Sequence, residues 1–208
     1  MERKKSVKSQ KRKKIVDKAW ELFAKNGYEE TKVEDITKEL GVSKGSFYTY
    51  FATKDELLYE ILGKIKKEII DTLETIDTNQ MPEKILEDYA NTKMNNAVKI
   101  LNNMRLNNVE KYSIDPKLRD FFEELREKSI DFIKTNIVEK FNRKNGNKYK
   151  AQIISEFILI SIEEFFYDEF VLKSFRNMKD NELINIKNTD KIENSLKEII
   201  KFINNALK

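Results

Sequence analysis

The 208-residue chain has neither cysteine nor histidine. The first absence excludes disulfides, thiolate metal sites and cysteine nucleophiles. The second removes zinc sites of the usual kind and imidazole acid–base catalysis. Two prolines and five glycines leave little to interrupt a helix, and no hairpin dipeptide stands between alternating apolar runs. The longest apolar run, around Phe157–Ile162, is far short of the ~20 residues a spanning helix needs. Residues 1–14 are basic with no apolar stretch behind them, unlike a signal peptide. The expectation is a soluble, cytoplasmic protein with no membrane partner and no cofactor.

What is present is charge, unevenly placed. The net charge is +4, but residues 1–54 carry 14 basic and 8 acidic side chains while residues 55–208 carry 26 and 28. A basic N-terminal end on a slightly acidic body points to a polyanionic partner for that end alone.

Apolar residues recur at helical spacing throughout, and the chain reads all-α. A first helix over about 9–26 places Ile15, Ala19, Leu22 and Phe23 on one face, with Gly27 ending it. Thr31 and Glu34 have capping-box spacing for a second helix that buries Val33, Ile36 and Leu40. Gly41 closes that helix, and Ser43 caps a third over about 44–51. Thr53 and Glu56 open a long helix to about Glu74, followed by a break over 77–81. Further helices are expected over 82–111 (one kinked or two short), 117–144, 149–176 and 190–207. The last carries Ile192, Leu196, Ile199, Ile203 and Leu207.

Residues 33–54 hold the chemistry. A short amphipathic helix, a Gly turn and a second short helix crowded with aromatic and hydroxyl groups read as a helix-turn-helix. Its first helix lies across the DNA backbone so that the second enters a major groove ~12 Å wide. Packing is assigned to Val33, Ile36, Leu40, Val42, Phe47 and Phe51, with Leu22 and Phe23. Lys44, Gly45, Ser46, Tyr48, Thr49 and Tyr50 are left pointing outward. Lys44 suits guanine acceptors or a phosphate; Ser46 and Thr49 suit base edges; Tyr48, Tyr50 and Lys54 suit phosphate oxygens. Gly45 permits close approach. Lys11, Arg12, Lys13 and Lys14 are placed to add salt-sensitive, non-specific attraction.

These residues resemble the DNA-binding domain of the TetR family of transcriptional regulators. The resemblance covers residues 15–61: Ala19, Leu22 and Phe23, then Gly27-Tyr28, Thr31, Val33, Ile36, the Gly41-Val42-Ser43 turn, Phe47-Tyr48 and Tyr50-Phe51. It implies an all-α, nine-helix build, with an N-terminal three-helix DNA-binding domain (1–54) joined by a long helix to a larger ligand-binding and dimerisation domain (55–208). It further implies a homodimeric repressor, less often an activator, that sits on a palindromic operator and is released by a small molecule. Carried onto this sequence, the DNA contacts fall at Ser43, Lys44, Gly45, Ser46, Tyr48, Thr49, Tyr50 and Lys54.

In the C-terminal half, residues 149–176 and 190–207 have more apolar surface than a monomer's outer helices need. A symmetric four-helix interface with a second copy is expected there, as the resemblance also implies. Tyr89, Met94, Met104, Phe121, Phe122 and Phe157 are candidate linings for a hydrophobic or amphipathic effector, and the same residues read equally as ordinary core. An architectural or division-site DNA-binding protein of the same fold, without an effector, is the alternative reading. Catalysis is not expected. The acid pairs Glu123-Glu124 and Glu163-Glu164 are adjacent in sequence, so on a helix they diverge by about 100°, and no phosphate-binding Gly loop exists.

Overall fold

The computed structural model describes residues 2–103, 116–146, 148–166 and 189–208. Every regular element among them is helical: α1 (Glu2–Asn26), α2 (Val33–Glu39), α3 (Lys44–Tyr48), α4 (Lys54–Glu74) and α5 (Pro82–Asn103). Next come α6 (Pro116–Ile133), one π turn (Lys134–Val138), α7 (Glu139–Asn145), α8 (Ala151–Phe166) and α9 (Thr189–Leu207). The π turn joins α6 to α7 without a break in the rod. The parts of the expected helices over 104–111 and 167–176 lie outside the described residues. Two compact units result, Met1–Lys67 with Ile100–Phe121, and Glu68–Lys99 with Phe122–Lys208. Helix α4 runs from the first into the second.

In the first unit, Ile15, Ala19 and Phe23 of α1 are buried with Val33 and Ile36 of α2, Phe47 and Phe51 around α3, and Leu57, Leu58 and Ile61 of α4. Leu22 and Leu40 pack against that core only in part. Gly27, at φ 89°, ends α1 by donating its N–H to the Phe23 carbonyl at 2.9 Å. The α2 start differs from the expected capping box. Lys32 is the N-cap, and its own N–H donates to Asp35 Oδ2 at 2.8 Å. Thr31 is instead fully buried, its hydroxyl donating to the Gly27 carbonyl at 2.7 Å. The threonine therefore ties the α1–α2 loop together, because its side chain meets the carbonyls left open at the end of α1 before it meets α2.

The second unit is a helical core built on α5 and α6–α9. Ile85, Leu86, Tyr89 and Ala90 of α5 are fully buried, as are Ile133, Ile137, Val138 and Phe141 on the α6–α7 rod and Leu159 and Ile162 of α8. Helix α9 buries Ile192, Leu196, Ile200, Ile203 and Leu207; Ile199 is only half-buried, its place in the stripe taken by Ile200. Gly146 turns the chain at φ 85°. Asn142 then spans the turn, donating Nδ2 to the Tyr149 carbonyl at 2.8 Å and accepting the Tyr149 N–H on Oδ1 at 3.0 Å. No described helix is long and apolar enough to cross a membrane.

Candidate nucleic-acid interface

The turn between α2 and α3 is set by backbone chemistry. The Gly41 N–H donates to the Lys38 carbonyl at 3.1 Å and the Val42 N–H to the Thr37 carbonyl at 2.9 Å. With Gly41 at φ 65°, that is a Schellman closure, which takes a residue free of the Cβ penalty in the left-handed region. Ser43 then caps α3, its Oγ accepting the Ser46 N–H at 3.2 Å. Phe47 and Phe51 anchor α3 from below, with ring centroids 5.7 Å apart. Val42 was expected in this packing but is exposed, because the Schellman turn aims it outward once Gly41 has reversed the chain.

Above the anchor lies a polar and aromatic surface. Ser43, Lys44, Gly45 and Thr49 are exposed, Ser46 and Tyr50 half-buried, and the Tyr48 ring is 49% exposed. Thr49 Oγ1 donates to the Gly45 carbonyl at 3.1 Å. A Cβ at Gly45 would meet only Ser43 Oγ, at 3.9 Å. The fold therefore does not need glycine there, although glycine costs ~1 kcal/mol against alanine within a helix.

The cations divide into two kinds. Lys44 projects from the first position of α3 and pairs with Glu34 of α2. The hydrogen bond between them lowers the Glu34 carboxyl and raises the Lys44 ammonium from their ordinary ranges. Lys54, assigned to DNA from the sequence, has its ammonium on the carbonyls of Tyr28 (2.8 Å) and Thr31 (3.1 Å), 4.1 Å from the centre of the Tyr28 ring. Tyr28 in turn donates its hydroxyl to Asp55. Lys11, Lys13 and Lys14 are exposed along α1, whereas Arg12 is half-buried. The contacts of Arg12 and Glu34 on this domain could not be read from local sequence. Their partners lie 48 and 10 residues away, beyond any spacing rule.

The candidate effector residues scatter. In the second unit Tyr89 and Met94 are buried, while Phe122 and Phe157 are exposed. Met104 and the Phe121 side chain lie outside the described residues. Near Tyr89, Lys93 of α5 reaches Glu163 of α8 at 3.0 Å. Burial alone would lower the Lys93 ammonium, but the Tyr89 hydroxyl and the Glu163 carboxylate together leave it raised. Burial pushes the Tyr89 hydroxyl up, while the neighbouring Lys93 ammonium and Ser129 hydroxyl pull against that rise.

Residues 15–61 match the family of bacterial regulatory proteins of the tetR type. The chain is 46% identical over 54 residues to the uncharacterised HTH-type transcriptional regulator YuxN of Bacillus subtilis, a stretch covering 26% of this chain and 19% of that one. It is 30% identical over 137 residues to the HTH-type transcriptional regulator QacR of Staphylococcus aureus, covering 65% of this chain and 63% of that one. Both matches thus span less than two thirds of the relative. A transcriptional regulator of the TerR/AcrR family from Aquifex aeolicus superposes with a TM-score of 0.58 at 26% identity, over 92% of this chain and 98% of that one.

Proposed function

We propose that the chain is a member of the TetR family, matched through its DNA-binding domain, and that it is a homodimeric transcriptional regulator that reads a palindromic operator in the cytoplasm. The observation that carries this is the two-sided character of α3. Phe47 is fully buried while Lys44, Gly45, Tyr48 and Thr49, on the same short helix or at its cap, are exposed. A five-residue helix so poor in internal hydrogen bonds has little structural purpose of its own. Its exposed donors, a hydroxyl-bearing ring and a glycine the fold does not require suit close approach to a major groove. Lys11, Lys13 and Lys14 add sequence-independent attraction to phosphates. Ser43, Lys44, Gly45, Ser46, Tyr48 and Thr49 are the contacts proposed to DNA; Tyr50 and Lys54 are proposed to hold that surface in place.

The dimer face is proposed on α8 and α9. Ile153, Phe157 and Ile160 stand i, i+4, i+7 on α8 at 59%, 54% and 50% exposure, and Phe202 of α9 is 67% exposed. Large apolar groups in register on an outer face mark an interaction surface. Two copies meeting through α8 and α9 make a four-helix interface with two-fold symmetry, which matches a palindromic site.

The regulator is proposed to be a repressor that releases DNA when a small hydrophobic or amphipathic molecule enters the second unit beside Tyr89 and Met94. A ligand does this only by binding the non-DNA conformation more tightly. Helix α4, continuous through both units, is the proposed link. The test is selection of bound duplexes from a random pool. Enrichment of an inverted repeat that is lost with Tyr48→Ala supports operator reading. Enrichment of no sequence, with strongly salt-dependent binding to all, would promote an architectural role instead.

A further inference from the structure

We propose that Arg12 is not part of the phosphate-attracting arm but a positioning residue, which with Glu60 locks the exit of α3 onto α1 and α4. The proposal rests on the DNA-reading function above. Three groups meet the Arg12 guanidinium. Its Nε donates to Glu60 Oε2 of α4 at 2.7 Å, and its Nη2 also faces that carboxylate. Its Nη1 donates to the Tyr50 carbonyl at 3.1 Å. Its Cζ lies 4.4 Å from the centre of the Phe51 ring.

The arrangement matters because of how α3 ends. A helix of five residues leaves most of its terminal carbonyls without internal partners, and its direction is set by what holds its two ends. Ser43 holds the entry. At the exit, Tyr50 and Phe51 turn back by donating to the Phe47 carbonyl at 2.8 and 3.1 Å, and Arg12 takes the Tyr50 carbonyl just past the end of α3. A planar guanidinium reaches a carboxylate and a carbonyl at once over a ring face; a lysine ammonium cannot. Both side chains are partly withdrawn from solvent, Arg12 at 41% and Glu60 at 25% exposure. With Nε, Nη1 and Nη2 engaged inside the unit, Arg12 serves DNA reading by aiming Tyr48 and Thr49.

Electrostatics alone and the lock make opposite predictions for Glu60. Removing a negative charge near DNA strengthens binding if Glu60 acts only through charge; removing one half of a lock weakens sequence-specific binding. Full-length Arg12→Gln, Arg12→Lys, Glu60→Gln and the double Gln variant are compared with the unmutated protein, each first shown folded by circular dichroism. Binding to the selected operator and to an unrelated duplex is measured across a salt series.

The lock predicts that each single variant loses operator affinity about tenfold or more, the scale of coupled contact pairs. Affinity for the unrelated duplex and the salt slope stay unchanged, the double variant is no worse than either single, and Lys at 12 does not rescue. Tighter operator binding by Glu60→Gln, or a salt slope reduced by about one phosphate in Arg12→Gln, would overturn it. Thermal unfolding of the same four proteins tests the lock without DNA: non-additive losses support it and additive ones overturn it. Failure of the unmutated protein to prefer any duplex counts against the DNA-reading function, and the unfolding cycle still decides the lock.

Discussion

Glu34 and Lys44 face each other across the helix-turn-helix, the carboxylate of α2 held against the ammonium that opens α3. Both are exposed, so solvent screens the pair and it adds little to stability. Its consequence is for binding: Lys44 must exchange Glu34 for a phosphate or a base. Glu34→Gln is therefore expected to leave the melting temperature unchanged and to tighten DNA binding. Lys44→Gln is expected to weaken it and to reduce the slope of log affinity against log salt by about one. Anisotropy titrations across a salt series read both effects.

Helix α4 contains a glycine that earns nothing from its surroundings. Gly63 is exposed, and an added Cβ would meet no atom within 4 Å. No described helix packs closely enough there to require a residue without a Cβ. Gly63→Ala is expected to raise stability by up to about 1 kcal/mol, read as a higher midpoint in denaturant. Loss of ligand response in the same variant would identify the glycine as a bending point.

The apolar stripe on α8 and α9 gives a direct test of assembly. Phe157→Glu and Phe202→Glu each place a charge where the proposed interface would bury a ring. Sedimentation is expected to show monomers for both, with helical content retained, against a dimer for the unmutated protein. Monomeric unmutated protein would remove the two-fold reading.

Tyr89 is fully buried, stacked on Phe132 at 5.6 Å, with its hydroxyl beside Ser129 and the Lys93 ammonium. Removing the hydroxyl takes a polar neighbour from both groups in a buried setting, at a cost of about 1 kcal/mol or more. Tyr89→Phe is therefore expected to melt at a lower temperature. An unchanged or higher melting temperature would mean that neither group relies on the hydroxyl.

Much of this was legible in the sequence, and what was not has a common physical reason. Gly27, Gly41 and Gly146 stood where helices end, and all three take positive φ, since that requirement is local. The all-α architecture followed from apolar spacing, and the two-faced α3 from alternation of Phe47 and Phe51 with polar neighbours. Long-range partnerships were hidden. Arg12 and Lys54 read as charges for DNA phosphates, and local sequence did not show that they also meet Glu60, the Tyr50 carbonyl and the carbonyls of Tyr28 and Thr31, groups 23 to 48 residues distant. Thr31 read as a helix cap because capping spacing is local, whereas its bond runs back to α1. On α8, apolar residues on several faces did not reveal which face is covered; only burial separates Leu159 from Phe157.

The central claim is that the α3 surface reads DNA sequence. The purified protein is titrated against duplex from immediately upstream of its own gene and against an unrelated duplex, at two salt concentrations, beside Tyr48→Ala. Tighter binding to the upstream duplex that persists at the higher salt and disappears in Tyr48→Ala is the predicted result. Equal binding to both duplexes, lost alike at higher salt and indifferent to Tyr48, would contradict it.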